Sequence, residues 1–299
     1  MKVFIDGAEG TTGLQLEDRL LVLKNITILN IDSDLRKNVG ERARLLNEAD
    51  IAFLCLPDDA AREAVTLINN RNTVVIDAST AHRTHPDWAY GLPELSEFHK
   101  NAILNSKRIS VPGCHATGFN AIVYPLIKGK FLNCENILSC TSLTGYSGGG
   151  KALIKAYENP VTAKKAARPY ALTLQHKHLP EMRHVCGLEN PPIFQPIVAS
   201  VRQGMLVSVP LALDAAAVWQ YLSEYYKDAE NVLIVPFGGE NLLDGGFLDM
   251  EALNGTDKME IFVFGHKAQT LAVARLDNLG KGASGAAVQI LKMLLEVKK

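Results

Sequence analysis

The chain has 299 residues, of which 47% are apolar and 21% charged, a composition typical of a globular protein long enough for two domains. Its formal net charge of −1 gives no sign of a nucleic acid or an acidic membrane as partner. No apolar run reaches the roughly 20 residues that span a bilayer, and the start, MKVFIDG, is too short for a signal-peptide core. The 5 cysteines are scattered without a CxxC pair, so we expect neither a disulfide framework nor a zinc site, and a reduced, cytoplasmic protein.

The first third of the chain alternates apolar runs with helical patterns. The runs that predict strands are VFIDG from Val3, ITILNI from Ile26, IAFLCLP from Ile51 and TVVIDAS from Thr73. Asp58 and Asp59 are placed to cap a helix that begins near Ala60. Because these strands are apolar throughout and separated by helices, they predict a parallel sheet covered on both faces, with ligands at its carboxyl edge.

A glycine-rich turn, GAEGTTG, follows the first predicted strand and precedes a helical pattern. Glycines allow a tight turn and the close approach of a pyrophosphate, whose charge suits the N-terminus of the helix. A glycine turn that merely joins a strand to a helix is the alternative. We interpret the turn as a dinucleotide-binding loop that comprises Gly7, Gly10, Thr11, Thr12 and Gly13.

The residue that meets the adenosine ribose is expected at the end of the second strand, where the chain reads DSDLRK. Asp32 alone favours the ribose of NAD, whereas Ser33, Arg36 and Lys37 offer donors to a 2′-phosphate. A solvated loop of mixed charge is the alternative. We interpret this stretch as favouring NADP, with Ser33 and Arg36 as contacts.

The stretch VPGCHATG places Cys114 between an apolar run and a helical pattern. Unpaired N–H groups and the positive end of a helix lower the pKa of a thiol, which favours the thiolate at neutral pH. Cys55 and Cys140 lie inside apolar runs and are expected in the core. Cys114 is therefore the candidate nucleophile, and a structural cysteine ahead of a helix is the alternative.

A nucleophilic thiolate needs an acid–base partner. The clearest candidates are His176 and His178 in the stretch YALTLQHKHLPE, ahead of a Pro-Glu pair that can open a helix. The HxH spacing also occurs in metal sites, but no third ligand is evident, so we expect no metal. An exposed histidine pair without a role is the remaining alternative.

Three basic residues are candidate anion contacts. Lys151 follows the glycine-rich run TGYSGGG, which can hold an anion, and a flexible linker would not explain the helical pattern after it. Arg202 lies between two β-like runs, and Arg83 follows DASTAH. A surface ion pair is the alternative for each arginine.

Six motifs spread over essentially the whole chain resemble those of one enzyme family. In order they are GAEGTTG, DASTAHR, YGLPEL, VPGCHATG, QHKHLPE and NLGKGASGAAVQ, and together they are similar to the shorter type of N-acetyl-γ-glutamyl-phosphate reductase. This family is related to aspartate-semialdehyde dehydrogenase. The resemblance implies an α/β fold with an N-terminal Rossmann-type doubly wound sheet over residues 1–113. It also implies a C-terminal α+β substrate and oligomerisation domain over 114–277, and a segment 278–299 whose last helix returns to the first domain.

The resemblance also implies an activity, NADPH-dependent reduction of N-acetyl-γ-glutamyl phosphate to the semialdehyde in arginine biosynthesis, by a homo-oligomer (a dimer or a tetramer). Cys114 would form the thioester, and His176 would be the acid–base group; the choice over His178 rests on the motif alone. The remaining implied contacts are Tyr170, His178 and Glu181 around the reaction, Lys151 and Arg202 on the substrate, and Ser79 and Asn278 on the cofactor.

Three alternatives stay open. The first is the same chemistry on a homologous acyl phosphate, N-acetyl-aminoadipyl or aspartyl phosphate. The second is a cysteine hydrolase, which would leave the glycine turn without a purpose. The third is a non-catalytic nucleotide-binding protein, which the presence of both Cys114 and the histidine pair disfavours.

Overall fold

The computed structural model describes residues 1–161 and 166–296, and these form two units. The first comprises Met1–Gly113 with the residues from Ala283 onward, and the second comprises Cys114–Gly282. Residues 278–282, which the sequence analysis gives to the returning segment, belong to the second unit. Residues 297–299 of that segment, and 162–165 of the predicted substrate domain, lie outside the described residues.

The helices and strands of the described residues are numbered in chain order. The helices are α1 (Thr11–Leu21), α2 (Val39–Glu48), α3 (Asp58–Thr66), α4 (Glu97–Asn105), α5 (Cys114–Lys128), α6 (Gly150–Glu158), α7 (Leu179–Cys186), α8 (Ala215–Tyr225) and α9 (Gly285–Glu296). The strands are β1 (Lys2–Asp6), β2 (Thr27–Leu29), β3 (Ile51–Leu54), β4 (Val74–Asp77), β5 (Ala89–Tyr90), β6 (Arg108–Ser110), β7 (Ser139–Gly145), β8 (Arg168–Pro169), β9 (Ile193–Ala199), β10 (Met205–Leu211), β11 (Val232–Ile234), β12 (Met259–His266) and β13 (Gln269–Leu276). Nowhere in 1–161 and 166–296 does a helix reach the length and apolarity that a bilayer crossing requires.

The sheet of the first unit is parallel throughout, in the order β2-β1-β3-β4-β6-β5. The chain builds on one side of β1 and then on the other, so the strand order reverses between β1 and β3. Ligands of doubly wound sheets bind at the carboxyl edge of the sheet at this reversal. The glycine turn that follows β1 lies there.

Helices cover both faces of this sheet. Successive residues of a strand point to opposite faces, so neighbouring residues pack against different helices. Ile5 of β1 belongs to a buried cluster with Leu16 of α1 and Ile290 of α9. Phe4, its neighbour, belongs to a second cluster with Leu46 of α2. The predicted doubly wound domain and the last helix that returns to it are confirmed.

The prediction that Asp58 and Asp59 cap a helix from Ala60 is wrong. Helix α3 begins at Asp58 itself, after Pro57, and has no side-chain cap. The Asp58 carboxylate accepts hydrogen bonds from the backbone N–H of Thr80, at 2.9 Å, and from its hydroxyl. Asp58 therefore joins the start of α3 to the segment that follows β4.

The second unit contains a mixed sheet in the order β11-β12-β13-β10-β7-β9-β8. Strands β7 and β9 run parallel, whereas β10 runs antiparallel to both β7 and β13. Helix α5 packs on one face of this sheet: a Cβ atom at Gly118 would lie 2.7 Å from Val207 of β10 and 3.3 Å from Ala274 of β13. This is the predicted α+β domain, and its sheet supports the start of α5.

Candidate active site

The turn after β1 requires glycine at two of its three glycine positions. Gly7 has φ +90°, a conformation that side chains rarely adopt, and its missing Cβ would collide with the carbonyl group of Cys55. A Cβ at Gly13 would lie 2.5 Å from the carbonyl oxygen of Gly7. At Gly10 the nearest atom is 3.4 Å away, so a small side chain fits there. The conformation of the turn therefore requires glycine at positions 7 and 13, whereas the space beside Gly10 is open.

The polar groups at the start of α1 fit a bound dinucleotide. The Thr11 hydroxyl oxygen is buried without a hydrogen-bond partner among the described residues. Helix α1 has Gly10 at its N-cap and no side-chain cap, so its first N–H groups lack the usual acceptor. A pyrophosphate would satisfy these donors. Thr12, also predicted to contact the cofactor, lies in the same first turn.

The stretch after β2 is joined to the glycine turn by an ion pair. The guanidinium of Arg36 pairs with Glu9, and its Nε donates to the carbonyl of Ser33 at 2.8 Å. The Asp32 carboxylate accepts from the N–H of Asp34, at 3.0 Å, and so caps its own short turn. Arg36 thus lies at the glycine turn, and Ser33 contacts Arg36. Glu9 was missed by the sequence analysis, because an acidic residue in a polar loop carries no local signal.

At the carboxyl end of β4 the buried Asp77 organises the segment that contains Ser79 and Arg83. Its carboxylate accepts from the Ser79 N–H (2.9 Å) and hydroxyl (2.7 Å), and lies 2.6 Å from Nδ1 of His82. Arg83 is buried, and its Nε donates to the carbonyl of Val111 at 2.9 Å. Arg83 therefore joins this segment to the end of β6, so the predicted alternative of a surface ion pair does not describe it.

Cys114 is the first residue of α5, four residues after β6 ends. Its side chain is partly exposed, and the positive end of the helix dipole favours the thiolate. Three of the other four thiols have surroundings that disfavour the thiolate. Burial raises the pKa of Cys55 to about 12, and burial also raises the pKa values of Cys140 and Cys186.

Three imidazole rings lie together beside the start of α5. The ring centroids of His115 and His176 are 5.5 Å apart, those of His115 and His178 are 5.5 Å apart, and those of His176 and His178 are 4.8 Å apart. Phe194 of β9 packs against His115 and His176, with centroids at 5.1 Å and 5.2 Å. The backbone N–H of His178 donates to Nδ1 of His176 at 3.1 Å, which makes Nδ1 an acceptor and fixes the orientation of the ring.

His115 is a site residue that the sequence analysis missed. It is 2% exposed, with Nδ1 2.7 Å from the hydroxyl of Ser142 and Nε2 2.9 Å from that of Tyr170. Burial, and then the charges of His176 and Lys177, lower the pKa of His115 to about 3, so the ring is neutral at pH 7. Because both ring nitrogens of His115 are hydrogen-bonded, this imidazole has no lone pair left to bind a metal. Over 1–161 and 166–296 no group of three ligating side chains could hold one.

Tyr170 and Glu181 lie on either side of the histidine pair in the chain. Burial, and then the negative charge of the Cys114 thiolate, raise the pKa of Tyr170, and the Tyr170 hydroxyl lies 2.9 Å from Nε2 of His115, the residue after Cys114. Glu181 is buried in the first turn of α7, where a carboxylate suits the helix dipole. Helix α7 begins at Leu179 with Pro180 in its first turn, as the Pro-Glu pair predicts.

The predicted anion contacts lie around α6. The helix has Gly149 at its N-cap and no side-chain cap, and the exposed Lys151 is its second residue. Arg202 is exposed and pairs with Glu158, the last residue of α6, at 2.7 Å. Asn278 is buried: its amide donates to the hydroxyl of Ser147 and accepts from the N–H of Gly204, both at 3.0 Å. Asn278 therefore fixes the glycine-rich loop within the second unit, and a direct contact with the cofactor stays a prediction.

Gly282, in a π-helical turn over Gly280–Ser284, lies against the backbone of Cys114. A Cβ at Gly282 would be 2.8 Å from the Cβ of Cys114. We expect Gly282→Ala to displace the nucleophile and to lower kcat about 10- to 100-fold, because a displacement of about 1 Å at a reacting group reduces the rate by up to about that factor. Steady-state kinetics with thermal unfolding measures it, and Gly40→Ala on α2, with Asn38 Oδ1 3.3 Å from the new Cβ, is the control. Unchanged kcat in a folded Gly282→Ala would contradict this expectation.

Comparisons with known proteins agree with this arrangement. Residues 24–103 match the family model described as "Semialdehyde dehydrogenase, NAD binding domain", and residues 114–278 match "Semialdehyde dehydrogenase, dimerisation domain". The first unit therefore carries an NAD(P)-binding domain. Two solved aspartate-semialdehyde dehydrogenases share the fold. One, from Vibrio cholerae, has TM-score 0.72 at 16% identity over 99% of this chain and 98% of its own. Another, from Candida albicans with NADP, has TM-score 0.66 at 18% identity over 98% of each chain.

Curated relatives are much closer in sequence. A protein of Nostoc sp. named N-acetyl-gamma-glutamyl-phosphate reductase 2 is 46% identical over 98% of this chain and 96% of its own length. A Pseudomonas putida protein of the same name is 44% identical over 98% and 96%. The N-acetyl-gamma-glutamyl-phosphate reductase of Chelativorans sp. is 43% identical over 98% of both. At this identity over nearly the whole of both chains, the chain belongs to the N-acetyl-γ-glutamyl-phosphate reductase family.

Proposed function

We propose that the protein is an oxidoreductase of arginine biosynthesis that reduces N-acetyl-γ-glutamyl phosphate to N-acetylglutamate semialdehyde and phosphate, with NADPH as the reductant. The observation that carries the proposal is the Cys114 thiol at the N-terminus of α5, beside Tyr170 and the three imidazoles. Family membership supplies the substrate. The five cysteines of the protein are all free thiols, which supports the further proposal of a reducing, cytoplasmic location.

Cys114 acts as the nucleophile. Its thiolate attacks the γ-carbonyl carbon, a C–S bond forms, and the C–O bond to the phosphate breaks, which leaves a thioester and inorganic phosphate. The thioester keeps the acyl group activated on the enzyme after phosphate leaves, and a thioester accepts hydride whereas a carboxylate does not. His176 accepts the thiol proton, since its ring lies in the imidazole cluster beside the start of α5 and its orientation is fixed by the main-chain N–H of His178.

The first unit holds the cofactor. Gly7, Gly10 and Gly13 give the pyrophosphate access to the N–H groups of α1, and Thr11 offers the hydroxyl that lacks a partner. Ser33 and Arg36 would hold the 2′-phosphate of NADP, with the phosphate in place of Glu9 on the guanidinium. A reduced nicotinamide held there would supply the hydride that converts the Cys114 thioester into a thiohemiacetal. The C–S bond then breaks, which releases the semialdehyde and restores the Cys114 thiolate, with His176 exchanging the proton.

Positive groups of the second unit hold the substrate's anions. The open N-terminus of α6 and Lys151 suit a phosphate. Arg202 is held by Glu158 until a substrate oxyanion replaces this carboxylate. His178 and Glu181 are buried at the start of α7 and fix the substrate beside His176.

The reaction run in reverse tests the function. The protein is mixed with NADP, phosphate and one semialdehyde, and the absorbance of the reduced nicotinamide is followed. We expect turnover with N-acetylglutamate semialdehyde. Faster turnover with N-acetyl-aminoadipate or aspartate semialdehyde would move the proposal to that acyl phosphate. Nicotinamide binding without reduction by any of the three would favour a nucleotide-binding protein.

We expect NADPH to bind more tightly than NADH, and Arg36→Ala with Lys37→Ala to narrow the ratio of the two Kd values at least about tenfold. Charge-assisted hydrogen bonds to a phosphate contribute about 1.5–3 kcal/mol each. Fluorescence titration with both cofactors measures the ratio. Lys107→Ala is the control, because Lys107 precedes β6 and so lies at the amino edge of the sheet, away from the cofactor. Equal affinities in the unmodified protein would overturn the preference and leave Asp32 as the ribose contact.

We propose that the protein is a homo-oligomer that associates through the sheet of the second unit. Opposite the face that holds α5, this sheet exposes apolar residues: Ile193 is 51% exposed and Leu271 is 40% exposed. Light scattering after size-exclusion chromatography should give a dimer or tetramer, and Leu271→Glu should reduce its mass, because a charge would be buried in the interface. Phe98→Glu, which places the same charge at an exposed apolar residue of α4 in the first unit, is the control. A monomeric unmodified protein would contradict the proposal.

A further inference from the structure

Three side chains of the second unit form a hydrogen-bonded series that leads towards the nucleophile. Ser142 of β7 lies 2.7 Å from Nδ1 of His115, and Nε2 of His115 lies 2.9 Å from the hydroxyl of Tyr170. Ser142 and His115 are buried, at 0% and 2% exposure, and Tyr170 is half-buried. His115 directly follows Cys114 at the start of α5. The series therefore connects the sheet to the position of the reacting thiol.

Because His115 is neutral, this series of hydrogen bonds runs in one of two opposite directions. A neutral imidazole has one donor and one acceptor nitrogen. When the Ser142 hydroxyl donates to Nδ1, Nε2–H donates to the tyrosine oxygen, and the proton of Tyr170 is left for a third group. Cys114 directly precedes His115, to which the Tyr170 hydroxyl is bonded, and its thiolate is the negative group whose charge raises the pKa of Tyr170. A tyrosine O–H donated to a thiolate stabilises the charged form of the thiol.

The surroundings of His115 keep it neutral while the reaction proceeds. The ionisable groups around it are Cys114 on its own helix, Tyr170 beyond β8, and His176, Lys177 and His178 ahead of α7. Phe194 of β9 covers the ring with an apolar surface. A second positive charge next to His176 is unfavourable there, so His115 does not compete with His176 for the proton.

We propose that His115, anchored by Ser142, is a positioning residue that holds the Tyr170 hydroxyl as a hydrogen-bond donor to the sulfur of Cys114. The inference rests on the proposed role of Cys114 as nucleophile. His115 touches neither substrate nor cofactor in this account. It acts through Tyr170, and its effect is on the ionisation of the thiol and on kcat rather than on KM.

The test measures the rate of Cys114 alkylation by iodoacetamide between pH 5 and 10, which needs no substrate or cofactor. Tyr170→Phe should slow alkylation at neutral pH about tenfold and move the profile to higher pH, the size expected for one hydrogen bond to a charged group. Ser142→Ala and His115→Gln should move it in the same direction. In the double variant His115→Gln with Tyr170→Phe, the shift should equal that of Tyr170→Phe alone. Ser139→Ala, an exposed serine on the same strand, is the control.

An unchanged profile in Tyr170→Phe, or in a folded Ser142→Ala, overturns the proposal. Additive shifts in the double variant also overturn it, because His115 would then act on the thiol without Tyr170. Ser142→Ala decides the matter if His115→Gln fails to fold, since it removes only the anchor. If the unmodified protein reduces no acyl phosphate but these shifts are seen, the proposed function fails and the positioning of the thiol stands.

Discussion

Cys114→Ser is expected to reduce turnover by about 10³-fold or more while folding and NADPH binding stay near normal. A serine hydroxyl remains protonated at neutral pH, whereas a thiol at a helix N-terminus ionises readily. The variant therefore loses the nucleophile without losing the shape of the site. Single-turnover kinetics separates this loss from slow product release, and cofactor titration shows whether the first unit is intact.

Selective alkylation supplies an independent check of the same residue. Iodoacetamide should modify Cys114 before the other thiols, and substrate should protect it, as read by mass spectrometry of peptides. Cys134 is the comparison within the chain, because it is exposed but its contact with Glu189, then burial, raise its pKa. Cys134→Ser should leave turnover unchanged. First modification of Cys55 or Cys140, or full turnover by Cys114→Ser, would remove Cys114 from the mechanism.

His176→Asn is expected to slow turnover by about 10²- to 10⁴-fold while substrate still binds, because an amide keeps polarity but cannot exchange a proton. A group that exchanges a proton during turnover changes its protonation state, so the rate profile of the unmodified enzyme should contain a step between pH 5 and 9 that the variant loses. The buried His115 cannot supply this step, because its pKa is lowered to about 3. Pre-steady-state rates across pH 5 to 9 measure it.

His178→Asn is the matched comparison for the histidine. His178 is buried and its own backbone N–H holds the ring of His176, so the side chain of His178 is expected to contribute less to proton exchange. A greater loss of turnover in His178→Asn than in His176→Asn would assign the acid–base role to His178. Normal rates in both variants would assign the proton to water or to another side chain.

The first unit could be predicted from the sequence because its signals are local. Its strands are continuous apolar runs, and a parallel sheet with both faces covered follows from that pattern. The second sheet could not be predicted in this way. It joins β10 to both β7 and β13, and β7 to β9, pairings that lie far apart in the chain and depend on the packing of α5 and α8.

The candidate site shows the same division. Cys114 was identified because a cysteine between a glycine and a helix has a known chemical meaning. His115, its immediate neighbour, was not, because its role depends on Ser142, 27 residues away, and on Tyr170, 55 residues away. The contact of Gly282 with Cys114 spans a still longer stretch of chain. Contacts between residues that are far apart in the chain form only on folding, so they cannot be recognised from the spacing of residues in the sequence.

The return of α9 to the first sheet has a consequence for how the chain is made. Ile290 and Leu291 complete the buried cluster that contains Ile5, so this hydrophobic core needs both ends of the chain. During synthesis the N-terminal strands must wait with that surface uncovered until the last segment emerges, whereas Cys114–Gly282 is contiguous and can close earlier. The domain translated first is thus the last to finish folding, and a polypeptide stopped at Gly282 should lose protease resistance in its first 113 residues while the remainder keeps it.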